Sequence, residues 1–207
     1  FTFQDSKQRL WVATYGGGLN LIETMPDGTL RFINHRNLLK SYPISHFYKV
    51  RHITEDNQGR IWVSTTAGIL QFKVSFHCPE EIDFHSICRE QGNVNSLSNN
   101  DVIYTFESKK GEIYIITHSS GLNLVTSKNL LCDNIEFVHL NKQNGLPSDM
   151  AYTMIEGNRN ELWISFEDQI CRYNPDRGSI ESYNRFYFHS HLLVSEIPLV
   201  RDDKNGM

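Results

Sequence analysis

Cysteine is scarce. Cys78, Cys88, Cys132 and Cys171 are the four in 207 residues, and no two form a Cys-x-x-Cys pair, which argues against a zinc ribbon. Cys78 and Cys88 stand close enough in sequence to bridge in an oxidising compartment; four unpaired thiols is the simpler expectation. Long apolar runs are missing. Leu192-Leu193-Val194 and Ile197-Pro198-Leu199-Val200 are split by Ser195-Glu196 and fall far short of the roughly 20 residues that span a bilayer. No long window has helical periodicity. No charge excess exists either: the net charge is −4 and the pI is about 6.1, whereas a nucleic-acid partner usually wants a basic face.

Signatures of catalysis and of metal binding are also lacking. No His-Glu-x-x-His or Gly-x-Ser-x-Gly occurs. Gly16-Gly17-Gly18 has no following Lys-Ser/Thr and sits between strands, so it is not a phosphate loop. Asp56-Asn57-Gln58-Gly59 lacks the alternating oxygens and closing Glu of a calcium loop. Glu55-Asp56, Glu80-Glu81, Glu167-Asp168 and Asp202-Asp203 are carboxylate pairs. Sequence adjacency does not place two carboxyls about 5–5.5 Å apart across a glycosidic bond. Glu55-Asp56 and Asp202-Asp203 hold the same place in a repeat, so a structural role at a turn is expected, with Asp accepting backbone N–H groups. No cofactor or metal is expected.

What the chain does have is that repeat. In Glu55-Asp56-Asn57-Gln58-Gly59-Arg60-Ile61-Trp62-Val63-Ser64-Thr65-Thr66-Ala67-Gly68-Ile69-Leu70, a β-branched and aromatic strand follows a turn closed by Gly59. Related stretches surround Trp11, Tyr114 (with Gly111 closing its turn) and Trp163. The anchors fall at 11, 62, 114 and 163, in steps of 51, 52 and 49. Self-similarity at this period, made of short strands, predicts a β-propeller. The fold class is all-β: about four four-stranded blades, a fragment of a larger, seven-bladed ring. The divisions are 1–40, a partial blade; 41–96, with an insertion at 75–96; 97–143; 144–194; and 195–207, the start of a further blade. The first copy lacks most of its first strand. The Trp anchors are expected in the packing between blades. An open stack of four would leave two blade faces uncovered, so the isolated chain is expected to oligomerise or exchange strands.

The stretch Asn95-Ser96-Leu97-Ser98-Asn99-Asn100-Asp101-Val102, with Ile53-Thr54-Glu55-Asp56 and Ile61-Trp62-Val63-Ser64-Thr65, resembles the two-component regulator propeller repeat. The third copy departs from it with Tyr114 for Trp and with His118 in the following turn. The fourth reads Glu167-Asp168-Gln169-Ile170 where the pattern has Gly-Gly-Leu. The resemblance implies the periplasmic part of an inner-membrane hybrid two-component receptor of the kind found in gut Bacteroidetes. Such a receptor is homodimeric, senses oligosaccharides and signals to a histidine kinase. It further implies no enzymatic activity in this chain, no contact with nucleic acid, and membrane attachment only through other segments.

In a propeller, the segment leading into each first strand and the turn between the second and third strands emerge on one face. On that face the candidate ligand-binding residues are Tyr15, His46, Tyr48, Asn100, Asp101, His118 and Asp149, with Asn99, Ser119, Ser120 and Ser148 beside them. Aromatic rings next to amides and carboxyls suit sugars, although loop residues are also polar simply because loops meet water. Arg51 and His52 could meet an anionic sugar, and a core salt bridge would explain Arg51 equally. Two other functions remain open: a scaffold for dimerisation with ligand bound elsewhere, and a polysaccharide-active propeller enzyme.

Overall fold

The structure is a computed structural model and describes residues 1–132, 134–189 and 194. The expected start of a further blade at 195–207 lies outside the described residues.

The chain forms four antiparallel four-stranded sheets in sequence order, each with its strands in simple succession. The first holds β1 (Thr2–Gln4), β2 (Leu10–Thr14), β3 (Gly18–Thr24) and β4 (Leu30–Ile33). The second holds β5 (Val50–Glu55), β6 (Arg60–Thr65), β7 (Gly68–Lys73) and β8 (His85–Ile87). The third holds β9 (Val102–Glu107), β10 (Ile113–Thr117), β11 (Gly121–Val125) and β12 (Phe137–Leu140). The fourth holds β13 (Ala151–Glu156), β14 (Leu162–Phe166), β15 (Gln169–Asn174) and β16 (Ser179–Asn184). A single helical turn, α1 (Arg185–Phe188), follows and is capped by the Asn184 side chain. The first strands of neighbouring blades adjoin, β1 to β5, β5 to β9 and β9 to β13. That is the radial arrangement of a propeller, with these strands innermost. All four cysteines are free thiols.

Packing between blades follows from the strand sequences. Strand β6, Arg-Ile-Trp-Val-Ser-Thr, is buried at every position, as expected of a strand covered on both faces. Trp11 packs edge-on to Phe72 and Phe76 of the next blade, at centroid distances of 5.2 and 6.1 Å. Trp62 shares a cluster with Val102, Ile113 and Ile115 of the third blade, and Tyr114 with Met154, Leu162 and Ile164 of the fourth. Trp163 differs from the expectation for an anchor. It is half-buried and stacks on Tyr183 of its own blade, with centroids 5.6 Å apart. The other three anchors are buried by the blade that follows, and none of the described residues forms a blade after β16.

The turn before each anchor is built on one carboxylate. Asp56 Oδ1 accepts the backbone N–H groups of Gln58 and Arg60, and Oδ2 accepts Arg60 Nε–H and Trp62 Nε1–H at 2.7 and 2.8 Å. Asp5 does the same for Lys7, Arg9 and Trp11. The carboxylate of Asp56 in the Glu55-Asp56 pair is therefore structural. Gly59 closes the turn at φ +71° and Gly111 its counterpart at φ +80°, a region costly for residues with a Cβ.

Where the Asp is missing, the carboxylate comes from four residues on. In the third blade Ser108 replaces Asp, and Glu112 stands where Arg was. The Glu112 carboxylate accepts from Tyr114 Oη–H at 3.1 Å, and Glu112 N–H donates to Ser108 Oγ. Burial, and then that carboxylate, push the Tyr114 phenol well above its usual pKa. In the fourth blade Gly157 replaces Asp, and the Glu161 carboxylate fills the space a side chain at 157 would need, 2.7 Å from the would-be Cβ.

The residue before the Asp position ties each blade to the one before it. Glu55 accepts from Ser6 N–H and Oγ–H, both at 2.6 Å; Glu107 accepts from Asn57 N–H at 2.8 Å; Glu156 accepts from Lys109 N–H at 2.6 Å. One carboxylate thus crosses each of the three interfaces.

Gln71 breaks the pattern. It is fully buried, and neither its amide nitrogen nor its oxygen has a partner. It pairs with Trp62 across β6 and β7, the place that Leu21 holds opposite Trp11 and Leu124 opposite Tyr114. An unsatisfied buried amide costs about 1–3 kcal/mol. Gln71→Leu, the residue used in two other blades, should raise stability by about 1–2 kcal/mol. A higher midpoint in urea unfolding at unchanged slope is the expected result. A lower midpoint would mean that the amide is satisfied by buried water.

Candidate ligand-binding face

The lead-in segments and the turns between second and third strands are hydrogen-bonded along one rim. Gly16 and Gly18 N–H both donate to Tyr48 O, Thr66 N–H to Lys49 O, His118 N–H to Asp101 O, and Gly121 N–H to Asp149 O. Tyr15 forms an isolated bridge with Lys49. The inner strands of the last three blades each begin with a slip in pairing that leaves one extra residue: Arg51 in β5, Ile103 in β9 and Tyr152 in β13. Such bulges re-aim side chains at the end of a strand, and here one of the three carries a guanidinium.

Tyr15 and Tyr48 come together at this rim and stay open to solvent, with 62 % and 41 % of their surfaces exposed. Lys49 Nζ lies between them, 5.2 Å from the Tyr15 ring centroid and 5.5 Å from that of Tyr48. Arg51 Cζ stands 5.6 Å from the Tyr15 centroid. These are cation–π distances. The Arg51 guanidinium grips Asp101 in a two-point ion pair, Nε to Oδ1 at 3.0 Å and Nη2 to Oδ2 at 3.2 Å. A planar fork on a carboxylate holds both groups in one orientation. Asp101 is in turn positioned by Asn99 Oδ1, which accepts its N–H, while Asn99 Nδ2 donates to His118 O. Tyr48, Lys49, Tyr15, Arg51, Asp101 and His118 thus run as one connected stripe over three blades.

The remaining candidates serve mainly to shape loops. Asn100 Oδ1 accepts Arg89 N–H at 2.6 Å, and Asp149 Oδ1 accepts Lys142 N–H at 2.7 Å. His46 is exposed and contacts Ser45 Oγ through Nδ1. His118 Nδ1 meets Ser119 Oγ, whose hydroxyl reaches Met150 Sδ. Lys49 is the functional candidate that sequence reading passed over. The signal was present: Lys49, Asp101 and Met150 hold one repeat position, just before the first inward-packed residue of each inner strand.

His52 is almost fully buried, stacked between Phe1 at 4.6 Å and Tyr104 at 4.2 Å. Burial pushes its pKa down to about 3. It is a neutral ring at ordinary pH and does not supply charge for an anion, in contrast to the expectation that set it beside Arg51. Two surface clefts lie elsewhere, 580 Å³ beside Leu10, Ile22 and Leu30 and 280 Å³ among Arg159, Arg172 and Arg177, while one of 290 Å³ at Arg89, Ser98 and His139 runs along the lead-in segment of the third blade.

Similarity to known proteins bears on this face directly. The family described as "Two component regulator propeller" matches residues 46–67, which include Tyr48, Lys49 and Arg51. A relative from Formosa agariphila, Histidine kinase P4, is 23 % identical over 195 residues, which are 89 % of this chain and 13 % of that protein. The crystal structure of the extracellular domain of a putative one component system from B. thetaiotaomicron superimposes with a TM-score of 0.66 at 21 % identity, covering 87 % of this chain and 24 % of that one. The extracellular domain of a putative hybrid two component system from the same organism gives 0.63 at 18 % identity, covering 99 % and 30 %. Enzymes share the fold as well: a virginiamycin B lyase from Staphylococcus aureus gives 0.57 at 13 % identity, covering 88 % and 54 %. This chain spans about an eighth of the length of the histidine kinase it resembles. Four radially packed four-stranded sheets make the chain part of a β-propeller, and its second blade carries a match to the two-component regulator propeller repeat.

Proposed function

We propose that this chain belongs to the extracytoplasmic ligand-sensing region of a hybrid two-component receptor, and that it binds an oligosaccharide on the rim that carries Tyr15 and Tyr48. The observation that carries the reading is the coincidence of the family's repeat at residues 46–67 with two exposed tyrosines and an oriented Arg51–Asp101 pair. Sugars bind where a flat apolar surface adjoins fixed hydrogen-bonding groups. Tyr15 and Tyr48 offer the surface, and Arg51, Asp101 and His118 offer the polar groups. The chain itself is assigned no reaction.

Signalling would follow from a population shift. The receptor is a homodimer with two arrangements, and ligand favours one of them by its differential affinity. Reversing a 1:99 ratio to 99:1 takes about 5.5 kcal/mol of preference. A histidine kinase beyond this chain reads the change across the membrane. The scaffold alternative has one observation on its side, since the clefts beside Leu10 and among Arg159, Arg172 and Arg177 lie away from the rim.

The test is a thermal-shift screen of the complete sensor region against neutral and acidic oligosaccharides. A ligand at 100 times its Kd stabilises by about 2.7 kcal/mol, a clear shift in Tm. A hit that Tyr48→Ala and Tyr15→Ala abolish supports the reading. A hit that neither variant weakens moves the site off this rim and favours the scaffold role for these blades.

A further inference from the structure

We infer that the saccharide bound at this rim is acidic, with a sulfate or carboxylate group that docks on Lys49. The inference rests on the sensing reading above and adds the chemistry of the ligand. Two cations face the tyrosines, and they are in different states. Arg51 is committed, since its fork is closed on both oxygens of Asp101. That pair is a fixed, nearly neutral unit. Lys49 is half-buried, and no carboxylate among the described residues pairs with it. Its ammonium is held by the faces of Tyr15 and Tyr48 alone.

A lysine held in this way is poised for an anion. The rings take up one side of the ammonium, where cation–π attraction is modest at an exposed site. Its N–H donors on the open side have no acceptor among the described residues. An incoming sulfate or carboxylate would form a charge-assisted hydrogen bond there. The rings are the measure of what else the ligand presents: two partly exposed phenols flanking the cation suit a pyranose whose C–H face stacks while its acidic substituent points at Lys49 Nζ. The chain as a whole carries −4, so no general positive field explains anion affinity, and the attraction is local to this side chain. An acidic peptide could reach the same ammonium but would leave the two ring faces without a matching flat partner.

The experiment is calorimetric titration of the complete sensor region with two matched pairs. One pair is trigalacturonate and its fully methyl-esterified form; the other is a sulfated galactan tetrasaccharide and its desulfated form. The acidic member of at least one pair should bind about tenfold or more tighter than its neutral twin, as expected for a hydrogen bond to a charged group. Lys49→Gln should remove that preference, Lys49→Arg should keep it, and Lys73→Gln, on the outer part of the blade, should leave it unchanged. Raising the salt concentration should weaken the acidic ligand and not the neutral one. Lys49 is a surface side chain, and an unchanged Tm of the unliganded Lys49→Gln protein confirms that folding is unaffected. Equal or tighter binding of the neutral twins, or a preference that survives Lys49→Gln, overturns the acidic-ligand inference and leaves the sensing reading standing. Failure of all four saccharides to bind counts against both.

Discussion

Trp62→Ala should lower the stability of the propeller by about 3–5 kcal/mol. Trp62 is fully buried between the second and third blades, and its removal takes out a large apolar side chain in a place where the β-sheet cannot easily collapse. The change also deprives Asp56 of one of its four donors. Trp62→Phe separates the two effects. It keeps most of the packing and removes only the Nε1–H bond, so it should cost about 1–2 kcal/mol. Chemical denaturation of both variants provides the measurement. Where the alanine variant still folds, its ligand affinity at the rim should be that of the parent, because the Trp62 indole reaches back to Asp56 in the turn before β6, whereas the rim contact with the Lys49 backbone is made by Thr66, beyond the end of β6. A loss below about 1 kcal/mol in the alanine variant would show that the anchor is not a packing residue.

The second large effect concerns Asp56. Its carboxylate is completely shielded from solvent and holds two backbone N–H groups, a guanidinium and an indole. Asp56→Ser removes the acceptor and leaves Arg60 as a charge with little exposure and a poor partner. Breaking a buried pair from one side costs about 3–5 kcal/mol. The third blade shows how the same turn is made without Asp, through Ser108, Glu112 and Tyr114. The triple variant Asp56→Ser, Arg60→Glu, Trp62→Tyr transplants that solution. It should recover at least half of what Asp56→Ser alone loses, despite changing two further buried residues. Contacting residues are where additivity fails, so recovery of this kind measures the coupling. A triple variant less stable than the single one would mean that the two solutions depend on their own blades and are not interchangeable.

Much of the fold was legible in the sequence because a repeat states its architecture several times. The spacing of Trp11, Trp62, Tyr114 and Trp163 announced blades, and the β-branched runs beside them announced the second strand of each. The turns between strands were legible too, since Gly, Asn and Asp mark turns by their own conformational chemistry. The second blade's last strand was the weakest point. Only an insertion at 75–96 was legible there, and the strand within it is just His85–Ile87, because a 3-10 turn at Pro79–Glu81 and the packing of Ile82 against the core take up part of that insertion. The turn role of the repeated Asp was also readable. Its replacement by Glu112 and Glu161 was not, since that required knowing that side chains four residues apart across a turn reach one point.

The candidate site was legible only in outline. Strand order alone puts the lead-in segments and the second turns on one face, so Tyr15, Tyr48, Asp101 and His118 could be assigned to it together. Sequence could not tell which polar residues face solvent and which are spent on the backbone. Asn100 and Asp149 hold loop N–H groups, a choice made by local distances of under 3 Å. Nor could it tell that His52, buried between two rings, is neutral while the adjoining bulge turns Arg51 onto Asp101.

By itself, the sequence determined the blade count, the order of strands and the identity of the packing anchors, because these depend on period and on hydrophobic alternation, which are properties of neighbours along the chain. Only the tertiary structure decided which blade buries which anchor, which carboxylate crosses each interface, and which cation at the rim is committed. Those depend on residues about fifty positions apart meeting at hydrogen-bonding distance, and radial packing of the blades brings them there.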